Sequence, residues 1–470
     1  MSAGPVVVVG AGMGGLAAAL RLRRLGHAVR VLEARTGPGG LASSFTAEGH
    51  TFDGGPYILL DRPGLAWAFE QLGLVLEERL TLKRLEHVYE VEREGGPTVR
   101  VLGSGQETAE GFEREWPGSG ARYLRFVAAM AAHNRRLRPL LYRSPQGARD
   151  LLRGGAWRSA PLLLRSLGHV LRASGLPAPV RDALGIWTHV AAQDLAAAPS
   201  VLGFVPALVH GPGAYYPLGG LGAVPRALAA AAVEAGVAID YGVRVRRIAC
   251  ADGRVRGVET ADGRLIEADR VVSNAGGLAT ALDLTDVTPP AEVRRLRALP
   301  LQSPGVAAYL LARGPLDRAY LRFHLPGGGE PCRLWIRPAA VDPALVRGGS
   351  WPARLLSPLG HGAAERGGRD GQAAALERIL AERWWRTGLT DTQVVARRLP
   401  ADWGTEFTLH RDSMNPVMTA RFMRAGRMPH RSPWVKGLYL AGSATHPGQW
   451  VSFCAVSGVL AALRLHEDAR

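Results

Sequence analysis

Four consecutive valines, Val6 to Val9, run directly into Gly10-Ala11-Gly12-Met13-Gly14-Gly15. An unbroken β-branched run of this kind predicts a strand buried on both faces. The glycines predict a tight turn into a helix. Gly10 frees the turn, Gly12 lets the backbone approach a pyrophosphate, and Gly15 lets helix and strand pack closely. Leu16, Ala17, Leu20 and Leu25 continue near helical spacing, and Gly26 stops the helix. Val29 and Val31 then alternate in a second strand that closes on Glu33. Such a βαβ unit has a right-handed crossover and turns free N–H groups and a helix dipole toward an anion. A GxGxxG run alone is weak evidence. Glu33, about twenty residues on, adds a carboxylate placed for ribose hydroxyls. That carboxylate would repel a 2′-phosphate, so FAD or NAD fits and NADP does not.

The continuation, Ala34-Arg35-Thr36-Gly37-Pro38-Gly39-Gly40-Leu41-Ala42-Ser43-Ser44, is by itself a glycine-rich turn. Further on come Phe52-Asp53-Gly54-Gly55-Pro56, Tyr215-Tyr216-Pro217-Leu218-Gly219-Gly220, Val245 to Ile248 with Gly257-Val258, and Ser273-Asn274-Ala275. The last third holds Gly437-Leu-Tyr-Leu-Ala-Gly442-Ser443-Ala-Thr445-His446-Pro447-Gly448. In this order the segments resemble the fingerprints of the phytoene desaturase and carotenoid desaturase-isomerase family, within the amine-oxidase-like flavoprotein superfamily. The resemblance covers the two ends and the middle and is weak over residues 110–200 and 315–400.

The resemblance implies FAD as cofactor. Carried over residue by residue, its cradle would be Gly10, Gly12, Met13, Gly14, Gly15, Glu33, Ala34, Arg35, Gly39, Gly40, Leu41, Gly55, Pro56, Val245, Asn274, Gly442, Ser443, Gln449, Trp450 and Val451. It also implies an α/β fold with a discontinuous Rossmann-type FAD-binding domain of the glutathione-reductase two-dinucleotide-fold kind, and an interleaved α+β substrate domain with a helical lid. The expected FAD unit spans 1–105, 215–285 and 430–470. The expected substrate unit spans 106–214 and 286–429. The helix over Val451 to Leu465 would aim its positive end at the flavin and favour its anionic reduced form. Two departures stand out. Desaturases usually continue H-P-G-A-G-x-P-G, whereas here His446-Pro-Gly-Gln449-Trp450-Val451 and Ser457-Gly458 are closer to carotenoid isomerase and retinol saturase relatives. Leu41 stands where many desaturases have arginine.

Elsewhere the pattern is coarser. Tyr123 to His133, Asp150 to Leu152 and Ala160 to Leu171 read as helices, as does Leu221 to Ala235 before Gly236. Val243 to Ile248, Val255 to Glu259 and Leu265 to Glu267 read as a meander with turns at Asp252-Gly253 and Asp262-Gly263. Gly305 to Leu311 and Arg333 to Arg337 read as strands, and Gln372 to Trp385 as a helix. The apolar run Val201 to Val209 reads as core in preference to a tunnel wall. Tyr215 and Tyr216 read as structural.

For the chemistry, the family resemblance implies an oxidoreductase acting on a long apolar isoprenoid, with hydride transfer from a saturated C–C bond to flavin. A polyene isomerase or saturase on the same scaffold is the alternative, and a flavin amine oxidase a further one. Many amine oxidases hold a lysine beside the flavin, and this chain has only Lys83 and Lys436. His446, Gln449 and Trp450 are the catalytic candidates. His446 relays a proton or braces its turn, and Trp450 contacts the substrate or merely packs.

The net charge is +16, carried by arginine, with eight arginines between residues 135 and 165. An anionic partner is expected, and the bland reading is a solvated basic surface. No RNP-type aromatic–basic pattern or helix-turn-helix supports nucleic acid, which leaves an anionic membrane surface. The arginine-rich helices either face that membrane or form an ordinary lid. No leader pattern is recognisable, and no apolar run reaches the ~20 residues that span a bilayer. The best candidate, Leu195 to Val209, is broken by Pro199 and Pro206. The expected location is cytoplasmic, peripherally membrane-associated. Scattered cysteines and the lack of an HExxH run give no reason to expect a metal. The patterns do not decide between monomer and homo-oligomer.

Overall fold

The valine run forms the centre of a five-stranded parallel sheet in the computed structural model, which describes residues 4–144, 148–189, 194–316 and 319–470. The expected FAD and substrate units also include residues 1–3, 145–147, 190–193 and 317–318, which lie outside the described residues. Val6–Val9 pairs on one side with Val29–Glu33 and on the other with Val271–Ser273. Ala238–Tyr241 and Leu438–Leu440 complete the edges. Strands from four distant stretches of chain thus lie side by side with their carboxyl ends together, where an open α/β sheet places a ligand.

The helix Met13–Arg24 covers one face of this sheet and packs against the terminal helix Val451–Asp468. The approach is close because Gly458 has no side chain. A Cβ there would lie 2.1 Å from the Gly14 carbonyl oxygen. Ala17, Ala18, Ala455 and Val459 are fully buried in the seam.

A second, seven-stranded sheet is mixed. Its order is Asp391–Arg398, Val306–Arg313, Trp351–Ser357, Arg333–Ile336, Leu321–Leu325, His87–Arg93 and Val99–Leu102. The last two strands fall within the span expected for the FAD unit, yet they hydrogen-bond here, through the pairing of His87–Arg93 with Leu321–Leu325. Trp335, Trp385 and Trp403 anchor the core beneath this sheet. At its edge the helices Gly105–Glu115 and Ala178–His189 pack against Val99–Leu102, and the long helix Ser119–Leu141 packs on Gly105–Glu115. The meander forms as expected, and its first turn has positive φ at both Asp252 (52°) and Gly253 (69°), as a two-residue hairpin requires.

Two helices differ from their expected spans. Ala160 to Leu171 is broken into Ala160–Leu163 and Leu167–Ala173, because Ser166 leaves the helix to cap the second piece through His169 N–H. The helix expected over Gln372 to Trp385 runs His361–Ala381 and contains non-helical Gly368 (φ 55°). Its expected last turn is a separate 3-10 turn, Trp384–Arg386.

Candidate functional site

Three turns converge at the carboxyl ends of the parallel strands. The first is the glycine turn after Val9. Gly10 has φ 94°, and a Cβ on Gly15 would lie 2.0 Å from the Gly10 carbonyl oxygen. The second is Asn274, after strand Val271–Ser273. The third is Gly442, after strand Leu438–Leu440, with φ 100°. A Cβ on Gly12 would meet Asn274 Nδ2 at 2.5 Å, and one on Gly14 would meet the Gly442 nitrogen at 2.7 Å. The glycines therefore let the backbones meet and leave an open cradle above them.

Two helices start at this cradle. Met13–Arg24 begins without a side-chain cap and with no acidic residue in its first turn, and Val451–Asp468 begins the same way. Free N–H groups and two positive dipole ends thus face one space, which suits a dinucleotide's phosphates and an electron-rich ring. Glu33, 6% exposed, accepts from Ala11 N–H (2.7 Å) and Arg35 N–H (2.8 Å). That locks its carboxylate at the cavity wall. Arg35 is drawn sideways, paired with Glu406 at 2.8 Å and stacked on Phe407. Glu406 also holds Arg398 at 2.9 Å.

The Phe52–Pro56 loop is fastened from beneath. Asp53 is buried and accepts from Tyr216 Oη (2.8 Å), Ser44 Oγ (2.9 Å) and Leu221 N–H (2.7 Å). Burial raises its carboxyl above the ordinary value, and those hydrogen bonds oppose the rise. Tyr216 is thus structural, and Tyr215 donates to the Pro212 carbonyl. A Cβ on Gly55 would lie 2.0 Å from the Leu41 carbonyl oxygen, so only glycine fits. Arg354, a buried cation with no sequence signal, donates to the Gly55 carbonyl at 2.6 Å.

The space enclosed is a continuous cavity of about 600 Å³. Of the twenty residues expected to hold the cofactor, nineteen border it, Gln449, Trp450 and Val451 among them. Gly15 lies behind the wall in the helix–strand seam. Beyond the cradle the lining turns apolar, with Ile58, Leu137, Trp187, Val201, Leu202, Phe204, Val205, Leu208, Leu356 and Phe453. The stretch Val201 to Val209, expected as core, therefore supplies five side chains to the cavity. Core and cavity wall carry the same apolar pattern, and only tertiary packing separates them.

His446 does not border the cavity. Its Nε2 donates to the carbonyls of Leu140 (2.9 Å) and Leu141 (3.1 Å), at the end of the long helix Ser119–Leu141. Burial, helped by Arg427, lowers its pKa to about 4, so it is neutral at pH 7. Trp450 stacks on Phe453 with ring centroids 5.0 Å apart. Gln449 accepts from Asn415 Nδ2 at 3.3 Å. Sequence reasoning missed Arg138, Asp61, Gln302 and Asn415, which also border the cavity. Arg138 lies in the stretch noted for its arginines, but nothing in the local pattern separates it from its neighbours.

A family model described as flavin containing amine oxidoreductase matches residues 13–466. The zeta-carotene-forming phytoene desaturase of Myxococcus xanthus is 30% identical, over 98% of this chain and 93% of its own length. The hydroxyneurosporene desaturase of Cereibacter sphaeroides is 29% identical, over 98% and 97%. An oxidoreductase of known structure from Methanosarcina mazei shares the fold, with a TM-score of 0.70 at 19% identity, covering 98% of this chain and 100% of that one.

Proposed function

The chain belongs to the flavin containing amine oxidoreductase family, on its carotenoid-desaturase-like branch, as an FAD-dependent oxidoreductase, and from that premise we propose that it desaturates a long apolar isoprenoid of the carotenoid class. The observation that carries this reading is the apolar extension of the cavity, which runs on from the dinucleotide cradle to the lid helices. FAD, when bound, supplies a hydride acceptor. The glycine turns and the two helix starts would hold it, and Trp450, Phe453 and the 201–208 wall would align a chain of carbons and keep water out.

The charged groups at the wall argue against an amine. Glu33 is held by backbone N–H groups, Asp61 by Arg138, Asp283 by His410 at 2.9 Å, and Glu406 by Arg35 and Arg398. Among the described residues, no carboxylate bordering the cavity is free to receive an ammonium or act as a strong base. Lys83 and Lys436 are exposed and border no part of it. On this reading the parallel sheet and its meander form the discontinuous, glutathione-reductase-type FAD unit, and the seven-stranded sheet with its helices forms the substrate unit.

The test is anaerobic mixing of holo-protein in liposomes with phytoene, a hydroxylated carotenoid or a partly desaturated one. Flavin bleaching with a red-shifted polyene is the expected result. A changed polyene without net bleaching would favour the isomerase reading. No response to any polyene would sink the proposal.

A membrane surface would deliver such a substrate. Leu152, Trp157 and Leu164 are 67%, 55% and 71% exposed, beside exposed Arg149, Arg158 and Arg165. That combination suits shallow docking on anionic lipid. Among the described residues, no helix is long and apolar enough to cross a membrane. Flotation with anionic liposomes at low salt should carry the protein upward, and protein left at the bottom would refute the docking.

A further inference from the structure

Two carboxamides from separate strands meet at one patch of the cavity wall. Leu301–Gln302 and Asn415–Pro416 pair antiparallel, with Gln302 directly opposite Asn415. Directly paired residues share a face, and both border the cavity. Ser413 pins the pair by donating to the carbonyls of Gln302 and Asn415, each at 3.0 Å. From Asn415 a chain runs to the cofactor turns. Ser443 Oγ donates to Asn415 Oδ1 at 2.9 Å, and Asn415 Nδ2 donates to Gln449 Oε1 at 3.3 Å. Gln302 is 4% exposed, and its Oε1 has no hydrogen-bond partner among the described residues.

A buried carboxamide left without a partner costs about 1–3 kcal/mol. A hydrocarbon ligand would leave Gln302 unmatched. The oxidised isoalloxazine ring, by contrast, has an imide edge that reads acceptor, donor, acceptor. An amide oxygen matches its N–H, and amide N–H groups match its two carbonyls. We propose that Gln302 and Asn415, with Gln449, seat the imide edge of the FAD ring and stabilise its reduced form. The proposal rests on FAD occupying this cavity and is independent of which polyene is oxidised. An oxygenated end of a polyene has related hydrogen-bonding chemistry, so the experiment separates the two sources.

Gln302→Leu and Asn415→Leu holo-proteins are compared with the parent for FAD dissociation, flavin spectrum and midpoint potential, with no polyene present. Each variant is expected to bind FAD about tenfold more weakly, the size of one lost hydrogen bond. A further tenfold loss for the reduced form lowers the potential by about 30 mV. In parallel, apo-protein is loaded with FAD methylated at ring N3. The parent should bind this analogue at least tenfold less well than FAD, and Gln302→Ala, which removes the matching oxygen, should erase most of that difference. Folded variants with unchanged affinity, spectrum and potential overturn the proposal. So does a parent that takes the methylated cofactor as readily as FAD, which decides the matter even if the leucine variants do not fold. A KM change confined to oxygenated polyenes, with flavin properties unmoved, would assign the patch to substrate and equally overturn it.

Discussion

Arg138 reaches from the last turn of helix Ser119–Leu141 to Asp61, with Nη1 3.0 Å from Oδ1. Asp61 is 2% exposed, precedes the helix Arg62–Gln71, and also accepts from Ser452 Oγ at 3.3 Å. One buried carboxylate therefore joins the helix Ser119–Leu141, the cavity wall and the first turn of the terminal helix. Removing one partner strands the other as a buried charge, at a cost of about 3–5 kcal/mol. Arg138→Met should lower stability by that order in urea denaturation. The double variant Arg138→Met/Asp61→Asn should recover part of the loss. An Arg138→Met protein as stable as the parent would show that the pair does not hold the helix Ser119–Leu141 in place.

Gly15 and Gly458 are packing devices, and the argument is steric. A methyl at either would sit 2.0 or 2.1 Å from a backbone oxygen that cannot yield alone. Overpacking of this kind costs about 1–3 kcal/mol or more. Gly15→Ala and Gly458→Ala should each lower the melting temperature and the flavin content of purified protein. Gly371→Ala, at an exposed helical position where a Cβ would meet nothing within 4 Å, should keep the flavin content and hold or slightly raise the melting temperature.

The buried histidines set a pH dependence of stability. Burial lowers His430 to about 3, with neighbouring His446 adding to the effect, and lowers His446 to about 4. An unfolded chain takes protons at both near pH 6.5, before the fold does. Stability is therefore full above about pH 6.5 and falls as pH drops toward 4 and then 3. The His446 share is on the order of 3 kcal/mol. His446→Gln should flatten the acid side of a stability–pH curve. It should leave kcat within a few-fold, because the ring holds the end of helix Ser119–Leu141 and lies outside the cavity. A loss of turnover with flavin content and stability intact would restore it as a catalytic group.

The apolar wall should control polyene length. Leu202 is partly exposed and borders the cavity beside Val205. Leu202→Trp should fill that end and cut kcat/KM for a long polyene tenfold or more, with FAD content unchanged. Equal activity on long and short substrates would place the polyene elsewhere.

The cradle was legible in the linear chain because its requirements are local. Val6 to Val9, the spacing of Gly10, Gly12 and Gly15, and Glu33 at the end of the second strand each constrain the backbone within one βαβ unit. Asn274 and Gly442 were found through family motifs that likewise sit at strand ends. Val451 is legible for the same reason, as the start of a helix after a turn, whereas Trp450 follows only from the family resemblance.

The rest was decided by packing between residues far apart in sequence. Gln302 faces Asn415, and Arg138 faces Asp61, only because strands and helices from separate stretches meet. Periodicity names the apolar face of a helix but not what that face meets, so Val201 to Val209 reads as core although part of it lines the cavity. His446 sits within the family signature, yet the carbonyls at the end of helix Ser119–Leu141 take its ring away from the cavity. Local backbone sterics are written residue by residue. The shape of a cavity belongs to the whole fold.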